Sequence, residues 1–221
     1  MKKGLILCEG QTEETFVKHI IAPHLLHNGI VAIPTLIVTR QLRSGMASRG
    51  GITRYPQVRR DILNLLRDKS AAMVTTLIDY YGLPDDFPGV ATLPEGSPYQ
   101  KVAHLEQAFA QDIGNARFFP YFMLHEFEAF LFVQPEVMTQ TLDQRGSLGP
   151  LFSNPSSVAS PEEINDGPHT HPAARIQRRF RQYRKALHGP LIIEKIGLSA
   201  IREKCPHFDA WLRRLEGLAG E

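Results

Sequence analysis

The sequence predicts an α/β protein in which a parallel sheet of about four strands is flanked by helices and followed by a C-terminal helical extension. Two observations predict this class. Short apolar runs alternate with amphipathic segments as far as Val133, which is typical of strands joined by crossover helices. After Val133 this alternation stops. We therefore expect an α/β domain over residues 1–133 and a helical extension over residues 134–221, packed on the sheet as one compact unit.

Length and composition set the class of protein. The 221 residues are 43% hydrophobic and 22% charged, with a net charge of +2, as in soluble globular proteins. The first apolar run is too short for a signal peptide, and no stretch has the length of a membrane span. Cys8 and Cys205 lie far apart and form no metal-binding spacing. These features predict a reduced, cytoplasmic protein that does not contact a membrane.

The elements of the first half follow from hydrophobic periodicity and from prolines and glycines. We expect Pro23 to kink or shorten the first helix and Pro34 to place the second strand near a sheet edge. The predicted strands cover residues 4–8, Ile30–Val38, Met73–Ile78 and Phe118–Leu124, and the predicted helices cover about residues 13–27, a segment opened by Pro56, and about residues 99–112.

The second half shows helical patterns only. A short helix and loop occupy Gln134–Asn154. Ser160 is predicted to cap a helix that begins at Pro161, with Glu163 completing a capping box. The remaining predicted helices cover about residues 172–187, Gly197–Lys204 and Pro206–Leu215.

A charged residue follows each predicted strand. Right-handed crossovers place the carboxyl ends of parallel strands at one edge of the sheet, where ligands bind in open α/β folds. That edge is expected to carry Glu9, Arg40, Asp79 and Glu126. Taken alone, Glu9 is equally well explained as a turn residue, whereas Glu13 and Glu14 are expected only to complement a helix N-terminus.

Carboxylates at such an edge suit a hard divalent cation. Mg²⁺ is usually held by one or two carboxylates together with waters and substrate phosphate, and Mn²⁺ shares this ligand preference. We expect Glu9, Asp79 and Glu126 to act as metal ligands and catalytic groups in phosphodiester chemistry. Glu128 is a fourth candidate ligand, although a helix beginning at Phe127 would turn it away from Glu126.

Arginines are concentrated after the second strand. Arg40, Arg43, Arg49 and Arg54 lie among glycines and serines, which suits a flexible phosphate clamp beside the acidic edge. The alternative is a solvated loop whose arginines pair with surface acids.

Several other polar clusters have ordinary explanations. A second basic cluster, Arg175–Lys185, is most simply a solvated face, with a nucleic-acid track or an acidic partner surface as the alternative. His169 and His171 lack further spaced ligands for zinc. Asp85 and Asp86 are more simply solvated loop acids than ligands of a second metal.

The chain resembles a TOPRIM-like family of bacterial proteins, often encoded beside an ABC-type or SMC-like ATPase in mobile-element and anti-phage loci. The matching motifs span nearly the whole chain: Cys8-Glu9-Gly10-Gln11-Thr12-Glu13-Glu14, Asp79-Tyr80-Tyr81-Gly82-Leu83-Pro84, Phe87-Pro88-Gly89, Glu126-Phe127-Glu128-Ala129, Pro161–Pro168, His188-Gly189-Pro190-Leu191 and Cys205-Pro206-His207-Phe208.

This resemblance implies a Rossmann-like TOPRIM sheet and a catalytic role. TOPRIM domains of topoisomerases, primases and related nucleases use a Glu after the first strand and an Asp-x-Asp after the third. The resemblance thus implies that Glu9 is a metal ligand or general acid/base and that Asp79 is a metal ligand. Tyr81 stands where the second Asp of the pair is expected, which weakens the expectation of two metals.

Two hypotheses follow. The first is a Mg²⁺- or Mn²⁺-dependent nuclease or phosphoryl-transfer enzyme acting on DNA or RNA, as effector of an ATPase-coupled defence system. The second is a non-catalytic TOPRIM-like module that binds nucleic acid or its ATPase partner, as the missing second Asp suggests. A homo-oligomer is compatible with both.

Overall fold

The computed structural model describes residues 1–37, 52–142, 160–164 and 171–220. The chain divides into two compact units. The first comprises Met1–Phe122 and Arg214–Glu221, and the second comprises Met123–Arg213. The boundary expected from the sequence lay after residue 133.

A parallel sheet forms the centre of the first unit. Its strands are β1 (Lys2–Cys8), β2 (Ile30–Leu36), β3 (Ala71–Asp79), β4 (Phe118–Phe119) and β5 (Phe122–Met123). The order is β2-β1-β3-β4, and β5 also pairs with β3. The β1–β2, β1–β3 and β3–β4 pairs are parallel. The predicted parallel α/β architecture is therefore confirmed.

Burial distinguishes the central strands from the edge. The apolar run of β1 and the β-branched run of β3 are almost wholly buried, as expected for strands covered on both faces. β2 lies at the edge of the sheet and contains Pro34. A proline is tolerated there because its missing N–H removes no inner ladder bond.

The fourth predicted strand, Phe118–Leu124, was wrong as a single element. Pro120 has no N–H to donate and separates β4 from β5. Between β4 and β5, the side chain of Thr76 takes the place of the backbone–backbone hydrogen bonds of a strand pair. Its Oγ1 accepts a hydrogen bond from the Tyr121 amide at 2.8 Å and donates one to the Tyr121 carbonyl at 2.9 Å.

Helices connect the strands of the first unit: α1 (Gln11–Phe16), α2 (Ala22–His27), α3 (Tyr55–Leu66) and α4 (Pro98–Ile113). A π-helical turn, Val17–Ile21, joins α1 to α2, in which Pro23 is the second residue. Ser97 and Gln100 form a capping box at the start of α4. Apolar faces of α3 and α4 are buried, including Val58, Ile62, Leu105 and Phe109.

The second unit is mainly helical. A 3₁₀ helix covers Phe127–Val133, and the α-helices are α5 (Pro135–Leu142), α6 (Pro172–Arg179), α7 (Lys185–Ile196), α8 (Leu198–Lys204) and α9 (Pro206–Glu216), whose last turn lies in the first unit. The capping pattern at Ser160 opens only a 3₁₀ turn, Pro161–Glu163, in which Ser160 Oγ accepts a hydrogen bond from the Glu162 amide.

The predicted helix over residues 172–187 was also wrong. The chain leaves helical geometry at Phe180 and resumes it at Lys185, after which α7 continues through Gly189 and Pro190. Gly189 is required by close packing: a Cβ there would lie 2.9 Å from Cε1 of Phe127. Gly189 therefore provides the room for a close contact between α7 and Phe127.

Within the described ranges, every helix is too short or too polar to cross a membrane.

Candidate active site

Glu9 and Asp79 lie at the carboxyl ends of two neighbouring strands. β1 and β3 are hydrogen-bonded side by side, with Cys8 opposite Leu77. Glu9 directly follows β1, and its amide donates a hydrogen bond to the carbonyl of Leu77. Asp79 is the last residue of β3. The sheet register thus brings together two acidic residues that are 70 positions apart in the chain.

The two residues are also joined directly. The backbone amide of Asp79 donates a hydrogen bond of 3.0 Å to Oε2 of Glu9. Asp79 is 8% exposed, and Glu9 is partly exposed. An amide donor favours the charged form of the carboxylate that accepts it. The edge therefore presents a Glu9 carboxylate held by a backbone amide, next to the nearly buried Asp79.

Glu13 has the structural role expected from the sequence. Its Oε2 accepts a hydrogen bond from the Gly10 amide at 3.0 Å, and its side chain is buried at the first turn of α1. This contact closes the amino end of the helix that follows Glu9. It fixes the turn that places Glu9 at the edge of the sheet.

The residues flanking the two carboxylates differ in exposure. Cys8 is a buried free thiol, as expected, and burial raises its pKa, with Glu13 and Glu14 adding to the shift. Such a thiol stays protonated and is a poor nucleophile. Burial also raises the pKa of Tyr80. Tyr81, which stands in place of the second Asp of the TOPRIM pattern, is 43% exposed.

Glu126 belongs to the second unit. Its Oε2 accepts a hydrogen bond of 3.0 Å from the Ala173 amide and is hydrogen-bonded to Nδ1 of His171, also at 3.0 Å. These contacts place a carboxylate at the first turn of α6, where the helix dipole favours negative charge. His171, which sequence reasoning identified only as half of a weak candidate zinc pair, is thus the cap residue of α6 and a neighbour of Glu126. No local signal links these residues, which are 45 positions apart.

Glu128 is 1% exposed in the second unit. Lys185 Nζ lies 3.3 Å from its Oε2, and the Tyr183 hydroxyl donates a hydrogen bond of 3.4 Å to its Oε1. Burial, followed by the charge of Glu128, raises the pKa of Tyr183, so the phenol remains a donor. The buried carboxylate is therefore balanced by a cation and a hydroxyl that the sequence did not identify.

The predicted phosphate clamp is described only at its last residue. Arg40, Arg43 and Arg49 lie outside the described residues. Arg54 is exposed and is the cap residue of α3. Beside it, the amide of Tyr55 donates a hydrogen bond of 3.0 Å to Oδ1 of Asp86, so Asp86 takes part in holding the start of α3.

In the described part of the chain, no group of three or more His, Cys, Asp or Glu side chains is arranged to hold a metal ion. The assignments of Glu126 and Glu128 as ligands therefore remain predictions from the sequence.

Glu162 has a role that sequence reasoning missed. It is 1% exposed, and its two oxygens accept hydrogen bonds from the amides of His207 and Phe208 at 3.1 and 3.0 Å. This carboxylate satisfies the first amides of α9. The neighbouring Cys205 is a buried thiol whose pKa is raised by burial and, to a lesser extent, by Glu162.

Comparison with known proteins identifies the family. No match was found among curated proteins or among solved structures. A family described as "Domain of unknown function (DUF4276)" matches residues 8–216, a range that includes Glu9 and Asp79. The chain therefore belongs to the DUF4276 family.

Proposed function

We propose that this protein is a Mg²⁺- or Mn²⁺-dependent phosphoryl-transfer enzyme, with a TOPRIM-like fold, that cleaves phosphodiester bonds in nucleic acid. One observation carries the proposal: Glu9 and Asp79 lie together at the carboxyl edge of a parallel sheet. This edge is where open α/β folds bind ligands. Glu9 and Asp79 are also the two residues for which the TOPRIM resemblance implies a metal-binding or acid/base role.

The donor set fits a hard divalent cation. Both side chains are carboxylates, and Mg²⁺ commonly takes one or two carboxylates with water and phosphate oxygens filling the other positions. The hydrogen bond from the Asp79 amide favours the ionised form of Glu9 that a cation requires. Two carboxylates are therefore sufficient for one ion, and the proposal does not depend on Glu126 or Glu128.

Each residue has a distinct part in the proposed reaction. When bound, Mg²⁺ supplies positive charge for the phosphoryl oxygens and promotes deprotonation of water. Asp79, in its nearly buried position at the end of β3, would hold the ion together with Glu9. The Glu9 carboxylate takes the proton of the attacking water as the new bond to phosphorus forms. The bond to the leaving sugar oxygen breaks, and that oxygen is protonated from solvent.

A second candidate function is a non-catalytic TOPRIM-like module that binds nucleic acid or an ATPase. Tyr81 favours it, because an exposed tyrosine stands where a second metal-binding Asp would be expected. The hydrogen bond between Asp79 and Glu9 is compatible with this function as well, since it joins two strand ends. A measurement of nucleic-acid cleavage distinguishes the two candidate functions.

The wider setting of the proposal comes from the resemblance alone. We infer a cytoplasmic effector that works with an ABC-type or SMC-like ATPase encoded nearby, in defence against phage. The arginines Arg40, Arg43, Arg49 and Arg54 are proposed to neutralise phosphate charge.

The decisive experiment incubates end-labelled single- and double-stranded DNA, single-stranded RNA and an RNA hairpin with Mg²⁺, Mn²⁺ or EDTA. It compares the wild type with Glu9→Gln and Asp79→Asn, with and without the neighbouring ATPase. We expect cleavage only with metal, and a loss of at least about 100-fold in both variants, the scale seen when one catalytic electrostatic group is removed.

Glu14→Gln is the matched control, because it makes the same chemical change on the first helix and removes only a surface pair with Lys18. This variant should cleave like the wild type. Equal cleavage by all four proteins, or none in any condition, would reject the enzyme and leave the binding module.

A further inference from the structure

Exposed arginines dominate the connection between α6 and α7. Arg178, Arg179, Arg181 and Arg184 are all exposed, and we call them the arginine turn. The only other exposed side chains from residue 177 to residue 184 are Gln177 and Gln182. No acidic residue occurs in the sequence between residues 171 and 193. The surface therefore carries a concentrated positive charge on a chain whose net charge is only +2.

The backbone that displays these arginines is fixed. Phe180 and Tyr183 are buried, and their amides donate hydrogen bonds to the carbonyls of Ile176 and Phe180 at 2.8 and 2.9 Å. Between them, Nε2 of Gln182 donates a hydrogen bond of 2.8 Å to the carbonyl of Leu142. The turn is thus held in place through Phe180, Gln182 and Tyr183, while its arginine side chains remain exposed. Because the backbone of the turn is already ordered, less conformational entropy is lost when a ligand binds.

Several cations elsewhere in the described protein have acidic partners. Lys3 pairs with Asp68, Arg59 with Asp112, and Arg202 with Asp209. Within the described ranges, by contrast, Arg181 and Arg184 form no ion pair with an acidic side chain, and the guanidinium of Arg179 lies 5.4 Å from the ring centre of Phe180. Pairing with described acidic side chains therefore does not explain why Arg181 and Arg184 are where they are.

The chemistry of this surface selects a phosphate-rich polymer. Arginine presents a planar fork of donors that matches a phosphate, and glutamine adds a further polar donor. A helix that binds membranes interleaves its basic residues with apolar side chains on the exposed face, whereas every exposed residue from 177 to 184 is Arg or Gln. Backbone-directed nucleic-acid binding uses such arginine clusters.

We propose that the arginine turn binds the phosphodiester backbone of nucleic acid. The inference deepens the proposed function, since it names a surface for the same class of substrate, but it rests on the second unit's own residues. It is also independent of metal, because electrostatic backbone binding requires none.

The test measures binding without catalysis. Fluorescence anisotropy with a labelled 20-nucleotide single strand, as DNA and as RNA, is recorded in EDTA between 50 and 400 mM salt. Each phosphate contact contributes roughly 0.7 to the slope of log affinity against log salt for a single strand. For Arg181→Gln/Arg184→Gln we therefore expect the slope to fall by about 1.4 and the affinity at 100 mM salt to fall by about 25-fold.

Two further variants isolate the cause. Arg67→Gln/Lys69→Gln removes the same charge from exposed positions of the first unit, and it should bind within about twofold of the wild type. Arg181→Lys/Arg184→Lys keeps the charge and should keep the salt slope. Thermal melting checks that all variants remain folded, as expected for exposed side chains.

The outcomes separate this inference from the proposed function. Wild-type affinity in Arg181→Gln/Arg184→Gln, or an equal loss in the Arg67/Lys69 control, overturns the inference even if the protein cleaves nucleic acid. A loss confined to the arginine turn supports it even if no variant cleaves anything. If the turn variants instead lose binding only to vesicles containing phosphatidylserine, the surface is a membrane site and the inference is overturned.

Discussion

The amide of Asp79 and the carboxylate of Glu9 join the ends of two neighbouring strands through a hydrogen bond of 3.0 Å. This contact ties a proposed catalytic group to the backbone of the residue that is proposed to share its metal ion. The geometry of the pair and the stability of the sheet edge are consequently linked.

Glu9 variants should separate structure from catalysis. Glu9→Ala removes the acceptor of the Asp79 amide and should lower the free energy of unfolding by about 1 kcal/mol, the usual net contribution of such a bond. Glu9→Gln keeps an oxygen acceptor and should lose less than half of that. Urea denaturation measures both values. If the two variants unfolded alike, the hydrogen bond would not contribute to stability.

Thr76 should be essential for packing beside β4. Thr76→Val keeps the shape of the side chain but leaves the buried amide and carbonyl of Tyr121 without the hydroxyl that serves both. We expect a loss of about 2 kcal/mol, since each buried polar group left unsatisfied is costly. The control Thr76→Ser keeps the hydroxyl and should lose about 1 kcal/mol, for the missing methyl group alone. Chemical denaturation of the three proteins tests this order.

The strands were predictable because β1 and β3 are buried on both faces, so each reads as an apolar run that ends at Glu9 or Asp79. The split of the fourth strand was not predicted, because it depends on Thr76, which is 45 positions from Tyr121. A local pattern does not contain that pairing. Pro120 was the one local signal that β4 ends early.

The contributions of Glu128 and Lys185 to the free energy of unfolding should be strongly coupled. Lys185→Met leaves a carboxylate that is 1% exposed without its cation, and we expect a loss of about 2 kcal/mol, below the range for fully buried pairs because Lys185 is 35% exposed. Lys185→Met/Glu128→Gln should recover at least half of that loss, because no buried charge remains. A double-mutant cycle measured by urea denaturation gives the coupling. Additive losses would show that the two side chains act independently.

The partners of the candidate acids were the least predictable part of the site. Glu126 and Glu128 were selected because they follow a predicted strand, yet their contacts come from the start of α6 and from the start of α7 with the tyrosine just before it. α7 itself was not predicted, because Gly189-Pro190 resembles a helix end. In the folded protein α7 continues through this pair, and the absence of a Cβ at Gly189 lets Phe127 pack closely against the helix.

Asp209 should make stability depend on acid pH. Burial acts to raise its pKa, but hydrogen bonds from Arg213 and Arg202 outweigh burial and hold the pKa below its ordinary value. A carboxyl group of this kind stabilises the folded state above its unfolded pKa, about 3.9, and loses that contribution as the pH falls through the folded pKa.

The matching variant is Asp209→Asn, which should be less stable than the wild type by about 1 kcal/mol at pH 7. The difference should shrink steadily below about pH 4. Melting temperatures of both proteins from pH 2.5 to pH 7 measure it, with Asp85→Asn as an exposed control. A difference that stayed constant down to pH 2.5 would contradict the assignment.

The first unit is built from two separate stretches of chain, because residues 214–220 pack with residues 1–122. Nε2 of His24 lies 2.6 Å from Oε1 of Glu216, and the guanidinium of Arg214 lies 4.1 Å from the ring centre of Phe119. During synthesis these contacts form only after the ribosome has also produced the 91 residues Met123–Arg213 that make up the other unit. The sheet that carries Glu9 and Asp79 therefore reaches its final packing late, and premature termination near residue 213 would leave an incomplete core exposed to proteases.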